Sequence, residues 1–231
     1  ALDTQLPRTR PLSSIQSVLE GLGVHVAYVP LQARARQAVS VARAGAMPVI
    51  LLNVQHDRAR LPLSRRAVLA HELGHLLHDS GELDLSPTER DPQPQAEARE
   101  QRANAFAPAF IAPPAHVRER VAAHATAHDI VLQIAREWGF TLEGAVWHAK
   151  NIELIETGTA EALLADVAWR SRSTRIPGNW EPVLHRDDPR DHGLDVETGP
   201  LVGGLLQDLV LQALRTGAIS AGRAGELLTI A

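Results

Sequence analysis

Five consecutive residues, His71-Glu72-Leu73-Gly74-His75, bring together the side chains of a hydrolytic metal centre at the spacing such a centre needs. On an α-helix, residues four apart stand one turn above each other, so both imidazoles project from one face and can share a zinc ion. Glu72 does not fit comfortably into the same tetrahedron. Its carboxylate can instead reach the water that the ion activates and accept its proton. Zinc is suited to this work because it brings the pKa of water down to roughly 7. Val68, Leu69, Leu73, Leu76 and Leu77 give the same segment an apolar face that would bury the helix and hold it rigid.

A catalytic zinc takes three protein ligands and keeps one position open. His78 lies seven residues after His71 on the same stripe. Three ligands from one straight helix line up along its axis, however, and do not surround an ion, so His78 reads as a cap or flank. Glu100 sits on the next helical segment, one turn before Asn104. A crossing helix can deliver its carboxylate from the side that His71 and His75 leave open; Glu97, one turn earlier, is the reserve candidate. Asn104 reads either as a hydrogen-bond partner of a ligand or as a plain surface residue. With no cysteine in the chain, any metal must be held by histidine and carboxylate. No donor for an oxyanion stands out, and the one tyrosine, Tyr28, falls on a strand and reads as core.

These residues need elements to position them. A short helical pattern with Ile15, Val18, Leu19 and Leu22 on one side stops at Gly21 and Gly23. Three valine- and isoleucine-rich runs follow, 24–29, 38–42 and 48–53, and read as a small antiparallel meander. Pro62 and Ser64 open a helix reaching about His78, residues 79–95 read as a polar loop, and a helix over about 96–110 is halted by Pro113 and Pro114. Pro108 is expected to bend that helix or end it early. Beyond the prolines the chain reads as helical to about Arg172, with breaks near His128, Gly139 and Gly158. Residues 173–200 read as a charged loop or linker, and two short helices, about 201–214 and 220–228, close the chain. The fold class is therefore α+β and predominantly helical: a small antiparallel three-stranded sheet packed on the metal-binding helices, then an all-helical tail. The domains expected are 1–114, 115–172 and 173–231.

The stretch Leu69-Ala70-His71-Glu72-Leu73-Gly74-His75-Leu76-Leu77-His78, followed by Glu100-x-x-x-Asn104-x-Phe106-Ala107 and by Pro113, resembles the ImmA/IrrE family of metallopeptidases, as does the strand Pro48 to Asn53 before it. The likeness covers about residues 20 to 114. It implies that His71, His75 and Glu100 are metal ligands and that Glu72 is the base. It also implies a regulatory endopeptidase that cleaves a helix-turn-helix repressor and so switches on stress-response or mobile-element genes. Ile134-Ala135-x-x-Trp138-Gly139-Phe140-Thr141-x-x-Gly144-Ala145 is similar to the winged-helix or helix-turn-helix segment following the peptidase domain in some members.

Composition narrows the field further. A net charge of −4 argues against a surface that is wholly a platform for nucleic acid or anionic lipid. Around the helix-turn-helix unit only Arg136, His148 and Lys150 offer positive or titratable charge beside Glu137 and Glu143, which favours packing or protein docking over DNA contact. No apolar run reaches the length of a membrane span and none resembles a secretory signal, so a cytoplasmic protein is expected. The substrate is expected to lie extended along an edge strand near Pro48 to Asn53. Zinc is the expected ion, with manganese or another divalent ion as the alternative. Two rival functions share the same residues: a non-hydrolytic module that binds a repressor or senses metal, and a DNA-binding regulator acting through the helical tail.

Overall fold

Ser14 opens the first helix, α1 (Ile15–Gly21), by accepting the Ser17 amide on its hydroxyl at 2.9 Å. The computed structural model describes residues 12, 14–31, 36–42, 46–79, 93–173, 201–202, 205–220 and 223–224. Residues 174–200 of the linker expected over 173–200, residues 80–92 of the expected loop and most of the last expected helix lie outside them. Gly23, at φ +81, turns the chain from α1 into strand β1 (His25–Val29). Strands β2 (Ala38–Val41) and β3 (Val49–Asn53) follow. The described elements form two compact units, and the division falls at Pro108.

The first unit holds the sheet. Its strand order is β2-β3-β1-β4, where β4 (Leu201–Val202) is a two-residue strand at the start of a segment expected to be helical. The helix expected there begins later, as α10 (Leu205–Arg215). The antiparallel meander is corrected in part. β2 and β3 run antiparallel, with Ala38 opposite Leu52, but β1 and β3 run parallel, with His25 level with Val49. β3 thereby enters between β2 and β1, so the Pro48 to Asn53 strand is interior and cannot receive a substrate on its edge. Among the described residues the edge on that side is β2. All five residues of β1 are buried, as befits a strand covered on both faces.

Two polar residues lock this arrangement. Tyr28 donates its hydroxyl to Gln16 Oε1 at 2.6 Å, tying β1 to α1, which commits the tyrosine to the core. Asn53, fully buried, accepts the Leu31 and Gln55 amides and donates to the Arg36 carbonyl at 2.9 Å, so one side chain gathers the ends of three loop segments. A short helix α2 (Asp57–Arg60), capped by His56, then leads into α3 (Pro62–His78). α3 packs on β2, β3 and α1.

Helix α4 (Gln93–Ile111) runs through Pro108 rather than ending there. A proline lacks only its own N–H, so the helix forgoes the bond to the Asn104 carbonyl and resumes, with Ala112 N donating to the Pro108 carbonyl at 2.9 Å. The second unit is helical: α5 (Pro114–Arg120), α6 (Ala127–Trp138), α7 (Leu142–Asn151), α8 (Thr157–Ala165) and α9 (Val167–Ser173). Thr126 and Asp129 form a reciprocal capping box at the start of α6. Gly139, in the left-handed region, makes the tight turn to α7, where Thr141 caps the Gly144 amide. The break expected near Gly158 comes earlier, at 152–156, and Gly158 lies in the first turn of α8.

His148 is buried in this unit. It donates Nε2–H to the Ala112 carbonyl at 2.8 Å and stacks on Phe140 with ring centroids 5.4 Å apart. It is therefore no candidate for a phosphate contact. Burial pushes its pKa below the ordinary value, against the opposing effect of the bond to Ala112, and the Arg118 charge acts in the same direction as burial. A histidine held neutral in the folded chain takes up a proton on unfolding once the pH drops below about 6.5. Its contribution to stability is thus complete above that pH and is lost as the medium acidifies toward the folded pKa, by up to about 1.4 kcal/mol per pH unit. Urea titrations followed by tryptophan fluorescence report this unit, which contains Trp138, Trp147 and Trp169. The unfolding midpoint is expected to fall between pH 7.5 and 5.5, and to fall less in His148→Gln, which keeps a donor but does not titrate.

Candidate metal centre

Pro62 stands at the start of α3, where its missing N–H would be unbonded anyway, and the helix continues for 17 residues. Its phase puts Leu69, Glu72, Leu73 and Leu76 among its buried residues, while His71 and His75 stay partly exposed, one turn apart. Their rings meet edge to face with centroids 4.7 Å apart. α4 lies against α3 at Gly74. A Cβ built on that glycine would come within 3.1 Å of the Phe106 ring and 3.3 Å of the Ala103 backbone. The glycine, which costs about 1 kcal/mol in a helix interior, is thus what lets α4 come this close. Ala103 lies one turn beyond Glu100, so the approach that seats Ala103 on Gly74 also brings Glu100 over the histidines.

The three donors converge. His71 Nε2 and His75 Nε2 are 3.0 Å apart, Glu100 Oε2 is 3.3 Å from His71 Nε2, and Glu100 Oε1 is 3.4 Å from His75 Nε2. Ligands about 2.0–2.1 Å from a tetrahedral ion lie roughly 3.3 Å from each other. The donor set therefore has the type and spacing of three corners of such a site, and these residues could hold a metal ion. Electrostatics agree. The carboxylate of Glu100, followed by that of Asp79 and the charge of Glu72, raises the pKa of His75 to about 9 against the cost of its burial. Hydrogen bonds from His71 and His75 hold Glu100 far below the usual carboxylate range. The cluster attracts positive charge. Stability alone does not explain it, since the Glu100 side chain is 60% exposed and a pair of that kind gives only about 0–1 kcal/mol.

The other candidates lie elsewhere. His78 is exposed and stands edge-on to the Phe106 ring at 5.7 Å. Glu97 is exposed and accepts a bond from Gln101 at 3.2 Å. Asn104 is also exposed. Glu72, next to His71, is buried, and its charge is felt by His75. Two partners of the centre went unread in the sequence. Asp79 Oδ2 accepts the His75 Nδ1 proton at 2.8 Å, and Asp79 Oδ1 accepts from Arg102 of α4. The first has a local signal, since Asp79 follows His75 by one helical turn. The second joins residues 23 apart and has none.

A helix carrying two histidines and a glutamate, crossed by a second helix that brings a carboxylate, defines the class of metal-dependent peptidases. The Peptidase_M78 family model, described as the IrrE N-terminal-like domain, matches residues 19–146, and the chain belongs to that family. Membership carries a metallopeptidase-type function acting on protein. The match extends through α6 into α7, past the stretch over which the motifs alone show a resemblance. No curated protein is similar enough to this chain to count as a match.

Because Gly74 sets the distance between the helices, Gly74→Val is expected to lower zinc affinity at least tenfold in a chelator competition. Ala67→Val, on the exposed side of α3, should leave it unchanged. A divalent ion at about a hundred times its dissociation constant would stabilise the full chain by about 2.7 kcal/mol, so a chelator is expected to lower the melting temperature by roughly 5–10 °C.

Proposed function

We propose that the protein is a zinc-dependent, site-specific endopeptidase of the cytoplasm that cleaves a helix-turn-helix repressor and thereby induces stress-response or mobile-element genes. The observation that carries the catalytic part is the convergence of His71, His75 and Glu100 within 3.4 Å of one another, with Glu72 adjoining on the same helix. The repressor target rests on the family resemblance. In support of a proteinaceous, water-accessible target, the centre is open on the Glu100 side, and no helix among the described residues is long and apolar enough to cross a membrane.

In this reading His71, His75 and Glu100 would hold the ion, which would supply Lewis-acid polarisation of the scissile carbonyl and a more acidic water. Glu72 takes the proton of the attacking water and passes it to the departing amine, so that one carboxylate serves as base and then as acid. Its burial favours this, because a carboxylate sheltered from bulk solvent meets no competing water. Substrate docks as an extended segment along β2, the sheet edge beside α3, where backbone pairing needs no particular side chain. That mode selects a flexible loop of a folded target. In the helical unit α7 presents Glu143 in its first turn and an exposed Trp147, features that suit contact with protein better than with phosphate.

The test is incubation of the purified protein with the repressor encoded beside it, followed by gel electrophoresis. Cleavage with zinc is expected to disappear with a chelator and to fall about 10²–10⁴-fold in Glu72→Gln, while zinc remains bound to that variant. A repressor bound by both forms and clipped by neither would instead make the protein a non-hydrolytic module.

A further inference from the structure

Asp79 is the C-cap of α3 and holds His75 twice. Its amide donates to the His75 carbonyl at 2.8 Å, and its carboxylate accepts His75 Nδ1–H at the same distance. The side chain is only 3% exposed. Both of its oxygens are engaged by donors, one by the His75 ring and the other by the Arg102 guanidinium. A carboxylate only accepts, so the proton of the His75–Asp79 bond belongs to Nδ1. The nitrogen left to face His71 and Glu100 is Nε2.

The second oxygen of Asp79 is bound by Arg102, which lies on α4 two residues after Glu100. The two helices that supply the three donors are therefore joined a second time, through a pair that touches no donor atom except by way of the His75 ring. Each end of this link bears on one ligand. Asp79 sets which nitrogen of His75 is presented and how the ring is turned. Arg102 fixes the stretch of α4 that carries Glu100. Its guanidinium also offsets the Asp79 charge, which leaves Glu72 and Glu100 as the carboxylates near an ion.

Resting on the metal-centre reading above, we propose that Asp79 and Arg102 form a positioning pair that preorganises His75 and Glu100 for metal. Neither touches reacting atoms; both act through the ligands. Outer partners of this kind are worth about 10–100-fold in metal affinity. An ordinary helix cap would affect folding and leave the affinity alone, and that difference separates the two roles.

The experiment measures the Zn²⁺ dissociation constant of the full chain by competition with a chromophoric chelator, together with imidazole ¹⁵N spectra and melting of the metal-free protein. Asp79→Ala is expected to weaken zinc about 10–100-fold and to remove the hydrogen-bonded Nδ1 proton signal of His75. Asp79→Asn, of the same size, should give an intermediate loss and carries the test if the alanine variant does not fold. Arg102→Gln should weaken zinc less than Asp79→Ala, Arg102→Lys should recover part of that loss, and the double variant Asp79→Ala with Arg102→Gln should be no weaker than Asp79→Ala alone. Zinc binding within about twofold of the parent in both Asp79 variants, with unchanged His75 signals, would overturn the proposal whatever happens to the melting temperature. His71→Ala separates the two levels of inference. If it abolishes binding while the Asp79 variants spare it, only the positioning role fails; if it too binds normally, the metal centre fails with it.

Discussion

Two imidazole nitrogens and a carboxylate, each within 3.4 Å of the others, stay together only if positive charge lies among them. Without a metal that charge is a proton, which is why His75 holds one up to a pH of about 9. A divalent ion would meet the same demand with two charges, and His71, His75 and Glu100 could hold it. The fold can be understood as what makes this juxtaposition affordable. A helix of 17 residues carries both histidines on one side, and its buried side rests on a sheet that keeps it from rotating.

The second helix is harder to place, because nothing local to α4 aims Glu100. Its position follows from packing. Gly74 removes a side chain where the helices meet, Ala103 fills the space, and Phe106 lies against the next turn. A change of a few tenths of an ångström there would carry Glu100 with it, since helices move as rigid rods on this scale. Asp79 and Arg102 add a polar tie near the far end of α3. Apolar contact and ion pair thus constrain the same helix crossing from two points.

How far the site could be read from sequence follows from how far apart its parts are. His71, Glu72 and His75 belong to one helical turn, so their spacing is their geometry. Glu100 was preferred to Glu97 from its place one turn before Asn104, and the family resemblance implied the same residue, but no local spacing fixes a ligand borne on a second helix. Arg102 was invisible because its partner is on another helix and exposed arginines are common. The strands were found, but their partners were not. β1 is buried at every residue rather than at alternate ones, the mark of a strand covered on both faces and at home in a parallel pairing. Pairing order depends on where the connections run, which propensity does not encode. Pro108 shows the same limit, since the packing of α4 outweighs the loss of one backbone bond.

The pairing of β4 with β1 has a bearing on how the protein is made. Leu201 lies opposite Tyr28, about 170 residues earlier in the chain, with all of α2 to α9 between them. At about 5–20 residues per second a ribosome needs roughly ten to thirty seconds to bridge that interval. Through that time one side of β1 waits without its neighbour, while α3 and α4, much closer in sequence, are already free to meet. The centre can thus take shape on a nascent chain before β4 has been made, and that pairing is left to a segment that emerges much later.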